Sequence, residues 1–348
     1  MIKILVISNS NIPVPPLLYG GAQRIAHNLC LNLSKNNYEV NLLSAKDSRQ
    51  YNGKTLNYLD YRFGTSLLGR CYSWAEFQIQ CIRLSKNVDI IQSFVVWPER
   101  LYFLNKINKP ILYTNQNTGR SDDFERIAKT NPNNGYLQCI SKDQRLKVNK
   151  FDPEKTFVTY NCVDTNFFSP QNFPKENYLA YLGRLNYDKG IDIAVKLSLD
   201  SGIPLKIAGV VRKQEKEAQK FFDAKVKPFL GEQIEYVGEV DDYSKLPFLA
   251  KAKALIVPNR WDEPFGIMNI EALACGTPIV ATNKGSLKEI IINNKTGFLC
   301  DNYPEMLNAV RNINFLDNAE CRNDACKRFS VENYTQEIIK IHNKILKR

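Results

Sequence analysis

The sequence predicts an α/β protein made of two doubly wound domains in tandem, each a parallel sheet covered by helices on both faces. Three observations carry this. The chain has 348 residues, about twice the roughly 100–200 residues of a single domain. Short, nearly continuous apolar runs alternate with segments of helical period, the pattern of buried parallel strands joined by crossover helices. A stretch with two prolines and several asparagines, residues 161–174, interrupts that alternation near mid-chain.

In order along the chain, strands are expected at residues 2–7, 38–43, 89–94, 111–114 and 136–140 in the first half. In the second half they are expected at 178–182, 205–208, 234–237, 254–258 and 278–281. Helical patterns cover 22–34, 67–84, 244–252 and 267–274, with a closing helix at 331–346. The expected division is 1–160, a linker at 161–174, a second domain at 175–330, and the closing segment 331–348. Two such domains in tandem would leave a cleft outside the carboxyl ends of their strands, where ligands of these folds bind.

Composition narrows the function classes. With 44% apolar and 24% charged residues, the chain is an ordinary globular one, which excludes disorder and fibrous architectures. No apolar run reaches about 18 residues, so no membrane-spanning helix is expected. The start, MIKILVISNSN, reads as a strand rather than a secretory signal. Nine cysteines, an odd number without a C-x-x-C pair, argue against a disulfide framework or a thiolate zinc site, and read as reduced thiols of a cytoplasmic protein. Only His27 and His342 are present, which excludes a multi-histidine metal centre. The charge is 47 Lys+Arg against 36 Asp+Glu, and residues 1–160 hold 21 against 12. The basic excess is therefore in the N-terminal half.

Three stretches carry chemistry. Gly20-Gly21, after the first strand and opening a helix, would let backbone approach a ligand and aim free N–H groups at an anion. A plain tight turn reads equally well, and the spacing is not that of a nicotinamide fingerprint. Gly183-Arg184-Leu185-Asn186-Tyr187-Asp188-Lys189-Gly190 follows the strand 178–182. An arginine fork with a mobile ammonium on one strand-end loop suits a diphosphate; two solvated cations are the alternative. The third stretch runs from Pro258 through Glu263-Pro264-Phe265-Gly266-Ile267-Met268 to Glu271 and Cys275-Gly276-Thr277-Pro278. A helix is expected to start near Gly266, with Pro264 suited to its first turn and Glu271 in the second turn, about 7 Å along the axis from that start. Carboxylates accept hydrogen bonds from vicinal hydroxyls, so Glu263 and Glu271 would bracket a ligand whose phosphates meet the helix start. The alternative makes Glu263 a first-turn acid and Glu271 an exposed helical residue.

The block Glu263-Pro-Phe-Gly to Glu271-Ala and Gly276-Thr-Pro resembles the E-x7-E signature of the retaining glycosyltransferases of family 4, whose fold is GT-B, two Rossmann-like domains facing across a cleft. Gly183-Arg184 to Lys189-Gly190 resembles that family's diphosphate loop, Gly20-Gly21 its N-terminal glycine loop, and Asn161-Cys162-Val163-Asp164 its linker motif. The four stand in family order over positions 20 to 278. The resemblance implies a metal-independent hexosyltransferase that uses a nucleotide-diphospho-sugar, most commonly a UDP-sugar with GDP-mannose next, and no cofactor. It implies Arg184 and Lys189 on the diphosphate, Glu263 on the sugar hydroxyls, Glu271 on the ribose, and backbone N–H groups of Phe265, Gly266, Ile267 and Met268 at the phosphates. Base choice would lie in loops near 209–211 and 238–240.

Two departures accompany it. Gln116 stands where many members place a histidine near the reacting carbon; it can hydrogen-bond a sugar hydroxyl but cannot titrate near neutrality. Cys162 replaces a linker glycine. In the fold the resemblance implies, the N-terminal domain binds the acceptor, so its basic excess implies an anionic acceptor such as a lipid-linked diphosphate, or peripheral contact with an anionic membrane face. The resemblance, with the Lys/Asn-rich composition, further implies a glycan or lipid-linked acceptor of bacterial surface-polysaccharide or lipopolysaccharide synthesis. Candidate cations are Arg24, Arg70, Arg100, Arg120, Arg126 and Arg145. Segment 64–86 would lie against such a face, or bury Leu68, Cys71, Ala75, Ile79 and Ile82 as a core stripe, the favoured expectation. No motif supports nucleic acid. A nucleotide-sugar epimerase of similar fold and a catalytically inactive nucleotide-sugar-binding subunit are the rival readings; a dehydrogenase lacks its glycine fingerprint.

Overall fold

The computed structural model describes residues 1–9, 12–18, 20–57, 67–95, 107–116, 133–148, 151–170, 173–211 and 216–348. Arg100, Arg120 and Arg126, and the side chains of Leu68, Arg70 and Cys71, lie outside the described residues. The chain forms two units: unit 1 is Met1–Cys162 with Val331–Arg348, and unit 2 is Val163–Ser330. Both are Rossmann-like, doubly wound α/β domains.

Unit 1 holds β1 (Ile2–Ile7), β2 (Tyr38–Ser44), β3 (Thr55–Asn57), β4 (Ile90–Ser93), β5 (Ile111–Asn115), β6 (Gly135–Cys139) and β7 (Thr156–Val158). They pair in parallel in the order β3-β2-β1-β4-β5-β6-β7. Its α-helices among the described residues are α1 (Gly21–Leu33), α2 (Leu67–Ser85) and α3 (Lys142–Leu146). Unit 2 holds β8 (Leu179–Leu182), β9 (Leu205–Ala208), β10 (Ile234–Gly238), β11 (Ala254–Val257), β12 (Ile279–Thr282) and β13 (Gly297–Cys300), ordered β10-β9-β8-β11-β12-β13 and again parallel. Its helices are α4 (Ile191–Ser201), α5 (Lys216–Lys225), α6 (Asp242–Ala250), α7 (Ile267–Ala274), α8 (Leu287–Ile290), α9 (Tyr303–Arg311) and α10 (Asn318–Phe329). The last helix, α11 (Val331–Leu346), belongs to unit 1.

Strands β4 and β5 are buried at every position, and β1 from Ile4 onward, because both faces are covered. The central strands lie where their runs predict. Strands β3, β7 and β13, all at sheet edges, carry no comparable run and are added by the structure. Residues 163–170 pack with unit 2: Arg322 donates to the carbonyls of Thr165 and Phe168, at 3.1 and 3.0 Å.

The core stripe expected on α2 is corrected. Phe77, Cys81 and Leu84 enter the core of unit 1, whereas Ile79 is 62% exposed and Ile82 is also exposed. Phe77, Cys81 and Leu84 take the sheet side, and the Ile79–Ile82 side is left to solvent beside Arg83 and Lys86. Charge divides sharply between the units. Unit 1 carries 25 Lys+Arg against 14 Asp+Glu, the whole net +11, while unit 2 carries 22 of each. Among the described residues no helix is long and apolar enough to cross a membrane.

Helix α11 packs on α1 and buries Ile338, Ile341 and Ile345, each worth ~1.5–3 kcal/mol. His342 is buried with them. Its Nδ1 lies 3.3 Å from the Tyr38 hydroxyl, and its Nε2 lies 3.1 Å from the Gln92 Oε1 acceptor. The Gln92 amide in turn donates to Thr114 Oγ1 at 3.0 Å. Nε2 therefore carries the proton, and burial pushes the imidazole down to about 3. A base whose folded value lies below its unfolded one stabilises the fold fully above pH ~6.5. That contribution is lost as pH falls from there towards 3, at up to about 1.4 kcal/mol per pH unit. Urea midpoints measured between pH 7 and pH 4 are expected to fall less steeply in His342→Gln; parallel curves would refute the assignment.

Candidate active site

In a doubly wound sheet, the order reverses where two neighbouring strands send their connections to opposite faces, leaving a crevice at their carboxyl ends. Within unit 2 that point lies between β8 and β11. The loop leaving β8 is Gly183–Gly190, and the loop leaving β11 is Pro258–Gly266. These are the two unit 2 stretches singled out by sequence.

The loops are fastened to each other. Arg260 forms a bidentate bridge to Asp192 at 2.8 and 2.6 Å, donates to the Tyr187 carbonyl at 2.7 Å, and lies 4.1 Å from the Tyr187 ring centroid. The Tyr181 hydroxyl, rising inside the first loop, donates to the carbonyls of Arg184 and Lys189 at 2.9 and 3.3 Å. Gly190, at φ 68°, caps α4 directly against the Pro258 carbonyl, where no side chain fits.

Two buried ion pairs occupy this end of the sheet. Lys189 (8% exposed) pairs through Nζ with Glu263 Oε2 (7% exposed). The same oxygen accepts from Asn259 Nδ2 at 3.0 Å, and Lys189 Nζ lies 4.9 Å from the Trp261 ring centroid. A buried carboxylate is kept charged by such partners. Thus the structure joins two residues that the sequence reading gave to different parts of a donor. Glu271, in the second turn of α7, pairs with Lys245 on α6 at 2.6 Å. It is 2% exposed, which removes the alternative of a solvated helical carboxylate.

Pro264 is corrected: the helix is capped by Gly266 at φ 79° and begins at Ile267, so the proline precedes the cap and is not in the first turn. The left-handed turn at Gly266 brings the chain round, and a Cβ there would strike the Asn269 amide. The Asn269 Nδ2 donates to the Phe265 carbonyl at 3.3 Å, while Ser286 ties down the stretch from the other side. Its Oγ donates to the Glu263 and Phe265 carbonyls at 2.8 and 3.2 Å. Phe265, Gly266, Ile267 and Met268 thus form a braced entrance to α7, beside Glu263.

Gly20, Gly21 and Gln116 belong to unit 1. Gly20 caps α1 at φ 159°, hard against Pro16, and Gly21 is the first helical residue. Gln116 follows β5 and exchanges two amide hydrogen bonds with Asn161, at 2.8 and 2.9 Å. Both functional groups of its side chain are therefore engaged. Asn259, Ser286 and Lys245 were missed by the sequence reading. Ser286 follows a glycine at the carboxyl end of β12, a position that signals a site; Lys245 looks like any helical lysine.

With this geometry in place, residues 163–333 match the family described as glycosyl transferases group 1, a span that covers the whole of unit 2. Over 95% of its length the chain is 24% identical to an uncharacterized glycosyltransferase of Methanocaldococcus jannaschii, covering 97% of that protein. It is 29% identical over 57% of its length to the O-antigen chain mannosyltransferase of Salmonella typhimurium, covering 55% of it. Among solved structures, HepE of Anabaena in complex with UDP and glucose superimposes with a TM-score of 0.79 at 17% identity, covering 99% of this chain and 100% of that one; a likeness at that identity is one of fold. The two Rossmann-like units thus make up a GT-B fold, and the second of them is filled by the match to the group 1 glycosyl transferases.

Proposed function

We propose that the protein is a retaining, metal-independent hexosyltransferase of family 4, which takes its sugar from a nucleotide-diphospho-sugar. The observation that carries this is the set of two buried Lys–Glu pairs flanking the braced start of α7 at the unit 2 switch point. Arg184 and Lys189 meet the diphosphate, Lys189 trading Glu263 for the phosphate oxygens when the donor arrives. Glu263 then accepts from the sugar hydroxyls and Glu271 from the ribose. In the transfer the acceptor oxygen bonds to the anomeric carbon as its bond to the diphosphate breaks, on the same face. The acceptor proton passes to the departing phosphate oxygen, so no side-chain nucleophile is needed. Two fixed cations and a helix start at the leaving group supply the charge stabilisation.

A UDP-sugar is the donor this reading favours, with GDP-mannose second; the UDP-bound Anabaena structure and the Salmonella mannosyltransferase support one each. The net +11 of unit 1 suits an anionic acceptor of a bacterial surface glycan, lipid-linked, handled at the cytoplasmic face of a membrane. The exposed Tyr72, Ile79 and Ile82 of α2, beside Arg83 and Lys86, would touch that membrane.

The test is a thermal-shift panel with UDP, GDP, ADP, NAD and their common sugar conjugates, on wild type, Arg184→Ala and Glu263→Ala, together with sedimentation on anionic and neutral vesicles. A nucleotide at roughly 100 times its Kd stabilises by about 2.7 kcal/mol. One nucleotide class is expected to shift the melting point, with the shift lost in Arg184→Ala. Glu263→Ala is expected to keep the bare-nucleotide shift and lose the increment from the sugar. A response to NAD alone would sink the transferase reading. Donor binding without turnover on any acceptor would leave the inactive subunit, and a changed sugar without an acceptor the epimerase. Equal recovery on both vesicle types would remove the membrane contact.

A further inference from the structure

Helix α6 begins at Asp242, capped by Asp241, whose carboxylate accepts from the Ser244 N–H at 2.7 Å. One turn on, Lys245 shares its helix face with Phe248 and Leu249, both buried, so by position it belongs to the core. A long cation is an expensive choice there unless something holds its charge. Three groups do. Nζ lies 2.6 Å from Glu271 Oε1, 2.9 Å from Asp242 Oδ1, and 5.0 Å from the Phe168 ring centroid. Lys245 is 7% exposed and Glu271 only 2%. Glu271 Oε2 makes no hydrogen bond among the described residues.

We propose that Lys245 is a positioning residue that sets nucleotide specificity: by fixing Oε1 of Glu271 it aims Oε2 at the ribose, so the site reads a ribonucleotide and rejects its deoxy counterpart. This rests on the reading that Glu271 meets the ribose.

A carboxylate with both oxygens unheld rotates and follows its ligand. One tied at Oε1 presents the other oxygen in a fixed direction, and a prealigned acceptor loses nothing to reorganisation. Lys245 cannot drift with it, because Asp242 and Phe168 hold Nζ from two further sides. Asp242 has a second effect. One cation between two carboxylates leaves the group with a net negative charge, so Glu271 keeps its strength as an acceptor. A site built around a ligand hydroxyl rejects the analogue lacking it, because the acceptor aimed at that hydroxyl is then left without its partner.

The experiment measures binding of UDP, GDP and ADP against their 2′-deoxy counterparts by titration calorimetry, on wild type, Lys245→Met and Asp242→Asn. Folding of each is checked by circular dichroism. Wild type is expected to prefer the ribonucleotide by on the order of 10-fold or more. Lys245→Met is expected to bring the two within about three-fold, chiefly by weakening the ribonucleotide. In turnover it should raise donor KM with kcat little changed, a split that a merely structural role would not produce. Should Lys245→Met fail to fold, Asp242→Asn decides, since it keeps the cation and frees it to neutralise Glu271; its preference should drop by at least three-fold. An undiminished preference in the folded variant overturns the proposal, as does a wild type that binds both sugars equally. A wild type that binds no nucleotide at all instead overturns the donor-site reading beneath it.

Discussion

Lys189→Met is expected to cut kcat/KM by on the order of 10²–10³, about 2.7–4 kcal/mol of lost transition-state stabilisation, measured as donor consumed at saturating acceptor. The same substitution also strips the Glu263 carboxylate of its cation. Both side chains are about nine-tenths buried. Breaking such a pair from one side typically costs ~3–5 kcal/mol, because a charge is left in low dielectric without compensation. Two losses are thus superimposed, and a second substitution separates them. Lys189→Met with Glu263→Gln removes both charges, so thermal stability should return most of the way to wild type while turnover stays low. Recovery of activity in the double variant would show that Lys189 serves the fold alone. Recovery of neither would show that Asn259, which also holds Glu263, does not suffice to keep the loop in place.

The second large effect concerns stability. Gly190→Ala places a methyl inside the Pro258 carbonyl at a residue with φ 68°. The left-handed backbone costs an alanine ~1–2 kcal/mol by itself. The collision comes on top and falls on backbone, which cannot swing away as a flexible side chain can. A total above about 4 kcal/mol is expected, in the range reserved for steric failure in a core. Gly202 supplies the control. It caps the other end of α4 at φ 71°, with open space where a Cβ would go. Gly202→Ala should therefore lose only the backbone cost, ~1–2 kcal/mol. Urea midpoints of the two variants, compared with wild type, give the difference directly. If Gly190→Ala is no worse than Gly202→Ala, the contact between the β8 and β11 loops yields more easily than the geometry indicates.

What could be read from the sequence follows the physics of each element. Strands β1, β8, β9 and β11 are covered on both faces and apolar at all but one position at most, so the run shows plainly; β4 and β5 open on the apolar pairs Ile90–Ile91 and Ile111–Leu112 and bury polar residues after them. Thr55–Asn57 and Thr156–Val158 each pair on one side only, and so carry polar or half-exposed residues that leave no run to detect. Helix α2 is apolar on two faces. Counting every third or fourth residue finds both stripes equally well, and only the packed sheet selects Phe77, Cys81 and Leu84 over Ile79 and Ile82. The site behaved similarly. Glu263, Lys189 and Glu271 stand out in the sequence because strand-end loops and a helix start announce themselves with glycine and proline. That Lys189 and Glu263 hold each other could not be read, since 74 residues separate them. Lys245 lies 26 residues from Glu271, and Lys251, which caps the far end of the same helix, is half-exposed, so nothing local marked Lys245 as buried.

The return of α11 to unit 1 bears on how the chain is made. Unit 2 is one uninterrupted segment and can acquire its whole core as it leaves the ribosome. Unit 1 is split in sequence: residues 1–162 emerge first, and then the 168 residues of unit 2 must be synthesised before Val331 appears. Throughout that interval the surface of α1 that will receive Ile338, Ile341 and Ile345 is bare, and Tyr38 and Gln92 wait for His342. At ~5–20 residues per second the delay is roughly 8–34 s. During it the nascent first domain is an unfinished fold with an apolar groove open to chaperones or to self-association.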